Sequence, residues 1–143
     1  MIYTDLTKAD LALSFELHKD QFDKSGLPYV FHPFHLAEQM SDEYSVCVAL
    51  LHDVIEDTDT TMMDLRTHGF PDQVLDAIVV LTRSCDTDYF DYIAKVKKNP
   101  LVRAVKLEDL KHNMDMTRLK YPTQKDFRRL EKYKKAYAIL LEK

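Results

Sequence analysis

Ala49-Leu50-Leu51-His52-Asp53-Val54-Ile55-Glu56-Asp57-Thr58 is the stretch on which the reading of this chain turns. An apolar run, Val46 to Leu51, leads into it, and polar residues then interrupt where burial would be expected. Residues four apart share a helical face. A helix from Glu43 to about Glu56, capped by Asp42, therefore puts Glu56 one turn beyond His52 and Asp57 one turn beyond Asp53. An imidazole and a carboxylate then stand about one turn, ~6 Å, from two further carboxylates. Four such groups are costly to desolvate together without a cation. Imidazole and carboxylate are both good ligands for Mn, Fe, Zn or Ni. The pair alone does not decide the matter. An amphipathic helix fraying into the acidic loop Glu56-Asp57-Thr58-Asp59 would give the same residues.

Two other segments bear on the choice. Tyr29-Val30-Phe31-His32-Pro33 sets a histidine at a helix start, where a proline costs nothing because its missing N–H would be unpaired anyway. Lys106-Leu107-Glu108-Asp109-Leu110-Lys111-His112-Asn113 puts Asn113 one turn after Asp109 on the same face. Alone, His32 reads equally as a packed, hydrogen-bonded histidine and Asp109 as a surface carboxylate among lysines.

The remainder reads as helix throughout. There are only two glycines, Gly26 and Gly69, and little polar/apolar alternation. A first helix is expected from Thr4 to about Phe22, with Leu11, Phe15 and His18 on one face, before the breaking segment Asp23–Tyr29. Thr61 to Asp64 resembles a capping box, with Gly69 as the stop. Pro71 opens a helix through about Leu81, and 84–88 reads as a loop. Helices follow near 89–98 and 101–115, separated by Asn99-Pro100. The last, near 124–141, is capped by Thr123 and carries a stripe of Phe127, Leu130, Tyr133, Tyr137 and Leu141. The fold class expected is all-α, a single helical domain over residues 1–143.

With 45% apolar and 31% charged residues, the chain has a globular balance rather than a disordered or membrane one. No apolar run is long enough to cross a bilayer and no secretory signal is evident, so a cytoplasmic location is expected. Cys47 and Cys85 lack metal-type spacing, and Cys47 reads as a buried structural thiol. Residues 1–94 carry 5 Lys/Arg against 18 Asp/Glu, and residues 95–143 carry 15 against 6. A pocket where such faces meet could hold a metal and an anion together, although solvated Lys-rich helix faces would give the same counts. The basic residues form no recognisable nucleic-acid motif, so nucleic acid is not an expected partner. The sequence does not specify an oligomeric state.

The order His32-Pro33, His52-Asp53, Asp109 resembles the H…HD…D signature of the HD superfamily of metal-dependent phosphohydrolases. More narrowly, it is similar to the hydrolase domain of the RelA/SpoT family and its small stand-alone relatives, which remove the 3′-pyrophosphate from guanosine tetra- and pentaphosphate. The likeness runs over Pro28–Pro33, Ala49–Thr58 and Lys106–Asn113, and spans nearly the whole chain. It implies an all-helical HD-type bundle holding one divalent metal, Mn²⁺ favoured, on His32, His52, Asp53 and Asp109. Glu56 and Asp57 match the acidic pair that orients or deprotonates the attacking water. Lys24 and Asn113 match nucleotide or phosphate contacts. Lys106 and Arg118 are further candidates to neutralise substrate phosphates, whereas Lys111 reads as solvated. Of the other histidines, His35 reads as packed or exposed, His68 as a helix-end charge, and His112 as a hydrogen-bonding support for the site.

The chain also departs from the pattern. Asp23-Lys24 stands where relatives carry Arg-Lys, the Arg stacking on guanine. Glu108, Leu110 and Lys111 replace Ala, Arg and Leu, and Asp115 stands where Arg is common. The activity expected is hydrolysis of a phosphate or pyrophosphate ester of a nucleotide, guanosine 3′,5′-bis(diphosphate) being the best candidate. A nucleotidase or phosphatase for another phosphorylated metabolite, and a non-catalytic HD-fold nucleotide sensor, are the alternatives. Synthetase activity is not expected, since no chain remains for a second domain.

Overall fold

Side-chain caps set most of the helix boundaries. The computed structural model of the chain describes residues 1–142. α1 (Asp5–His18) starts on a capping box in which Thr4 and Thr7 exchange bonds, and α5 (Met62–Thr67) on the expected Thr61/Asp64 box. Asp42 caps α3 (Glu43–Leu51) and Asp88 caps α7 (Tyr89–Lys97). Asn99 caps α8 (Pro100–Asn113), with Pro100 opening it, and Thr123 and Asp126 box the start of α9 (Gln124–Leu141). Each such cap satisfies N–H groups that a helix start leaves unpaired, for about 1 kcal/mol. α2 (Phe31–Glu38) carries Pro33 in its first turn, α4 is the short Val54–Asp57, and α6 (Asp72–Leu81) follows Pro71. Gly69 ends the chain's turn after α5 at φ +87°, a conformation that favours glycine. A 3-10 turn, Met116–Arg118, follows α8. There is no strand among the described residues, only an isolated Phe22–Pro28 bridge. No helix among them is long and apolar enough to cross a membrane.

α3 is the central element. Every residue from Ser45 to Leu51 is buried, and the helix packs against α1, α2, α6 and α8. Burying a Leu or Val side chain stabilises a fold by about 2 kcal/mol, so Val46, Val48, Leu50 and Leu51 make this helix the axis of the core. α9 lies over α7 and α8 through Ala136 and Leu140.

Three expectations change. α1 ends at His18 rather than near Phe22, because residues 19–22 turn away into the Phe22–Pro28 bridge. Its buried face is polar, Thr7, Asp10, Ser14 and His18, whereas Phe15 is 53% exposed. Ser14 Oγ donates to the Leu50 carbonyl at 3.0 Å and so ties α1 to α3. On α9, Phe127 and Leu141 are exposed, and the helix seats itself through Ala136, Leu140 and half-buried Tyr133 and Tyr137. The third change is the one that shapes the site. The helix expected to run to Glu56 stops at Leu51, and Asp53 adopts φ −109°, ψ 3°, in the sparsely populated bridge between helix and strand.

Candidate metal centre and phosphate cleft

The break after Leu51 turns His52 into the core and gives α4 a new direction. Asp57 keeps its place one turn from Asp53, its N–H donating to the Asp53 carbonyl at 2.9 Å. Glu56 makes no matching bond to the His52 carbonyl, although both residues border one smaller cavity. The two carboxylates diverge, Asp57 into a large cleft and Glu56 into a smaller cavity, with Asp53 forming the wall between.

His32 from α2, His52 from the end of α3 and Asp109 from α8 are all buried, and one ligand atom of each lies within 4.8 Å of the others. His32 Nε2 is 2.9 Å from Asp109 Oδ1. Asp53 Oδ2 is 3.0 Å from His52 Nε2 and also accepts a hydrogen bond from the Tyr29 hydroxyl. The four expected ligands therefore converge from three separate helices and one helix break.

The hydrogen bonds assign the imidazole tautomers. His52 Nδ1–H donates to the Ala49 carbonyl at 2.7 Å, which leaves Nε2 as the nitrogen available to a metal. His32 Nδ1 lies 2.7 Å from His112 Nδ1, and Arg118 Nη1 approaches that same His112 nitrogen at 3.5 Å. A guanidinium only donates, so His112 Nδ1 is the acceptor and His32 Nδ1 carries the hydrogen. Burial, with the charges of His32 and Arg118, pulls the His112 pKa down to about 4 and keeps it neutral for this role. Both ligand rings thus turn Nε2 inward, held by an outer hydrogen bond as metal-binding histidines are.

These donors fit a cation. His52 Nε2 is buried without a hydrogen-bond partner, yet carboxylate oxygens of Asp53 and Asp109 stand 3.0 and 3.6 Å away. Two carboxylates facing Nε2 need positive charge between them, which a proton on Nε2 supplies when no metal is bound and a cation would supply in its place. Burial alone would lower the His52 pKa, but the two carboxylates outweigh it and hold it well above the ordinary range. Asp109 is further held by Lys106 Nζ at 2.8 Å and Asn113 Nδ2 at 3.0 Å.

The cleft beside this cluster has a volume of about 740 Å³, large enough for a nucleotide-sized ligand. Lys24, Asn113 and Arg118 line it as expected, along with Asp53 and Asp57. Lys106 is bound to Asp109 instead of standing free, so its charge is shared with the metal ligands. Arg118 is held by Asp23 Oδ2 at 3.0 Å and donates to the His112 carbonyl at 3.0 Å. Burial, with the charges of Asp53 and Glu56, pushes the Asp57 pKa up to about 6. Arg129 and Tyr133 of α9 also line the cleft. Sequence reading missed both, and no local motif marks them. Tyr29 did stand in a quoted motif, but its bond to Asp53 needs the fold.

No family model matches the chain. It is 32% identical over 111 residues to a guanosine-3′,5′-bis(diphosphate) 3′-pyrophosphohydrolase of Aquifex aeolicus, covering 69% of this chain and 16% of that protein. It is 35% identical over 69 residues to a guanosine-3′,5′-bis(diphosphate) 3′-pyrophosphohydrolase of Homo sapiens, covering 44% of this chain and 38% of that one. The matches thus span well under half the length of these curated relatives. A solved structure described as a metazoan ortholog of SpoT that hydrolyzes ppGpp superposes with a TM-score of 0.80 at 23% identity, covering 99% of this chain and 88% of that one. That likeness is one of fold.

Proposed function

This chain is a relative of the RelA/SpoT-type hydrolase domains of the HD superfamily, and on that premise we propose that it is a metal-dependent pyrophosphohydrolase of a nucleotide. The best candidate substrate is guanosine 3′,5′-bis(diphosphate), cleaved at its 3′-pyrophosphate, with residues 1–143 acting as one catalytic domain. The observation that carries the reading is the buried His32, His52, Asp109 donor cluster, with Asp53 against it, opening on a cleft that holds both carboxylates and cations. His32, His52, Asp53 and Asp109 would hold one divalent ion, Mn²⁺ being favoured from the family pattern. Such an ion supplies Lewis acidity, making water more acidic and drawing charge from a phosphoryl oxygen.

The protein's own groups divide the remaining work. Asp57, with a pKa near neutrality and an open position in the cleft, accepts the proton of the attacking water. Lys24, Arg118 and Arg129 offset the negative charge of the substrate phosphates, Arg being able to grip two oxygens at once. Asn113 both steadies Asp109 and borders the cleft, so it couples the ligand set to the bound nucleotide. Asp23 stands in place of the base-stacking Arg of relatives, and the guanidinium it holds is that of Arg118.

A hydrolysis screen with metal-loaded protein tests this reading, with phosphate and pyrophosphate release measured separately over a set of nucleotides. Pyrophosphate release from guanosine tetraphosphate is expected. Phosphate release from a different metabolite would point to the nucleotidase alternative, and absence of turnover with every phosphorylated compound would overturn the enzyme reading in favour of a sensor.

A further inference from the structure

The smaller cavity, into which Glu56 points, measures about 180 Å³ and shares His52 and Asp53 with the metal cluster. Its opposite wall is basic: Arg83 follows α6, Lys106 lies on α8 and Lys132 on α9. Lys106 is committed to Asp109. Arg83 and Lys132 have no carboxylate within ion-pair distance among the described residues, in contrast to most charged groups near the site. The exposed Arg83 guanidinium donates twice to the Thr87 carbonyl, at 3.2 and 3.1 Å, and both cations lie over one ring, that of Tyr89. The Arg83 guanidinium is 5.3 Å and the Lys132 ammonium 4.5 Å from its centroid. A phenol face attracts cations only weakly, and neither it nor the Thr87 carbonyl supplies the negative charge that would neutralise Arg83 and Lys132.

Tyr89 adds an independent sign. Its side chain is nine-tenths buried and its hydroxyl has no hydrogen-bond partner. Tyr89 lines the same cavity as His52 and Asp53. A buried O–H without an acceptor is destabilising, and native structures rarely carry one without a ligand or water to receive it. A donor without an acceptor, next to two cations without an anion, describes a place built for an anion.

We propose that Arg83, Lys132 and the Tyr89 hydroxyl form a seat for the terminal phosphate of a pyrophosphate group whose inner phosphate lies at the metal cluster. The inference rests on the pyrophosphohydrolase reading and sharpens it, since this seat would select a diphosphate ester over a monophosphate. The position is apt because the cavity and the main cleft meet at Asp53 and Asn113, which border both. Arg83 is tied to the cavity's acidic wall by its own backbone N–H, which donates to Glu56 Oε1 at 2.7 Å. Lys132 is pulled below its ordinary pKa by burial and by Arg83, Arg129 and Lys106, a repulsion that a bound phosphate relieves.

The test is calorimetric titration of inorganic pyrophosphate and inorganic phosphate into Mn²⁺-loaded protein, so that the inner phosphate has the cluster it is proposed to occupy and the variants report on the seat. Pyrophosphate is expected to bind more tightly than phosphate. Lys132→Glu and Arg83→Glu should each weaken it by about tenfold or more, the loss of a charge-assisted contact. Tyr89→Phe should weaken it by a smaller factor with unchanged far-ultraviolet circular dichroism. Lys134→Glu, on the exposed side of α9, should leave it unchanged. Failure of pyrophosphate to bind, or equal binding by wild type and both charge-reversed variants, overturns the seat. If the seat binds pyrophosphate as described while metal-loaded protein hydrolyses no pyrophosphate ester, the hydrolase reading falls and the seat stands. If guanosine tetraphosphate is hydrolysed with a KM that neither charge reversal alters, the seat falls and the hydrolase reading stands.

Discussion

Arg118 Nη2 donates to Asp23 Oδ2 at 3.0 Å across 95 residues of sequence, joining the turn that follows α8 to the loop that precedes α2. The carboxylate does more than hold one guanidinium. Asp23 Oδ1 also accepts from Ser25 N, Ser25 Oγ and Leu27 N, so one side chain both shapes the 23–27 loop and aims Arg118 at the cleft. The pair places a planar cation beside the position where relatives carry a base-stacking arginine, and Arg118 is our candidate to take over that contact. Asp23→Ala and Arg118→Ala are each expected to raise KM for the nucleotide about tenfold with kcat changed much less, since the contact positions substrate away from the reacting phosphorus. A KM unchanged in both variants would remove Arg118 from substrate recognition.

Tyr29 and Asp53 set up a second expectation. Asp53→Ala removes a ligand and should abolish Mn²⁺ binding and turnover together. Tyr29→Phe removes only the hydroxyl that orients Asp53, and should weaken metal affinity by about 10–100-fold, the usual cost of losing a partner that orients a ligand. Metal titration followed by calorimetry separates the two. Wild-type affinity in Tyr29→Phe would mean that Asp53 is oriented without it.

The divergence of Glu56 and Asp57 separates two carboxylates that are adjacent in sequence. Asp57 has its pKa pushed up to about 6, mainly by burial and then by Asp53 and Glu56. A base works deprotonated, so turnover should fall as pH drops through the Asp57 pKa, and a cation beside Asp53 offsets part of the rise and places that limb at or below about 6. Asp57→Asn in metal-loaded form should cost about 10²–10⁴-fold in kcat and abolish that limb of the profile. Glu56→Gln should keep the metal and the same limb while slowing turnover through the smaller cavity. If metal-loaded Asp57→Asn runs at the wild-type rate, Asp57 is not the base.

How much of this could be read in advance follows the range of the interactions. Helix starts at Asp42, Thr61 and Thr123 are set by residues within one turn, and the caps form where the letters place them. The His32, His52, Asp109 cluster was legible because each residue sits in a local motif. The break at Asp53 was not, since helical spacing alone argues for continuation and the partners of its carboxylate include Tyr29, 24 residues away. Arg83, Tyr89, Lys132 and Arg129 come together only when α9 folds over α7, so no window of sequence contains their relationship. The buried polar face of α1 was hidden for another reason. Thr7, Asp10, Ser14 and His18 follow helical spacing, but a search for apolar periodicity passes over them.

That face yields the last prediction. Asp10 is fully buried, and neither carboxylate oxygen has a hydrogen-bond partner of ordinary geometry. Only the Cys47 thiol, a weak donor, stands beside it, and burial raises the Asp10 pKa well above 3.8. The folded protein therefore binds a proton here that the unfolded chain has released. The resulting stabilisation is fully present below the unfolded pKa near 4 and is lost as pH rises through the folded one. Asn cannot ionise, so Asp10→Asn should escape this loss. Its Tm relative to wild type should climb between pH 4 and pH 8.5, the gap at the upper end reflecting about 1–3 kcal/mol, or roughly 3–8 °C for a chain of this size. Thermal melts followed by circular dichroism across that range, at one metal state for both proteins, measure it. Parallel Tm profiles for the two proteins would show that Asp10 does not hold its proton in the fold.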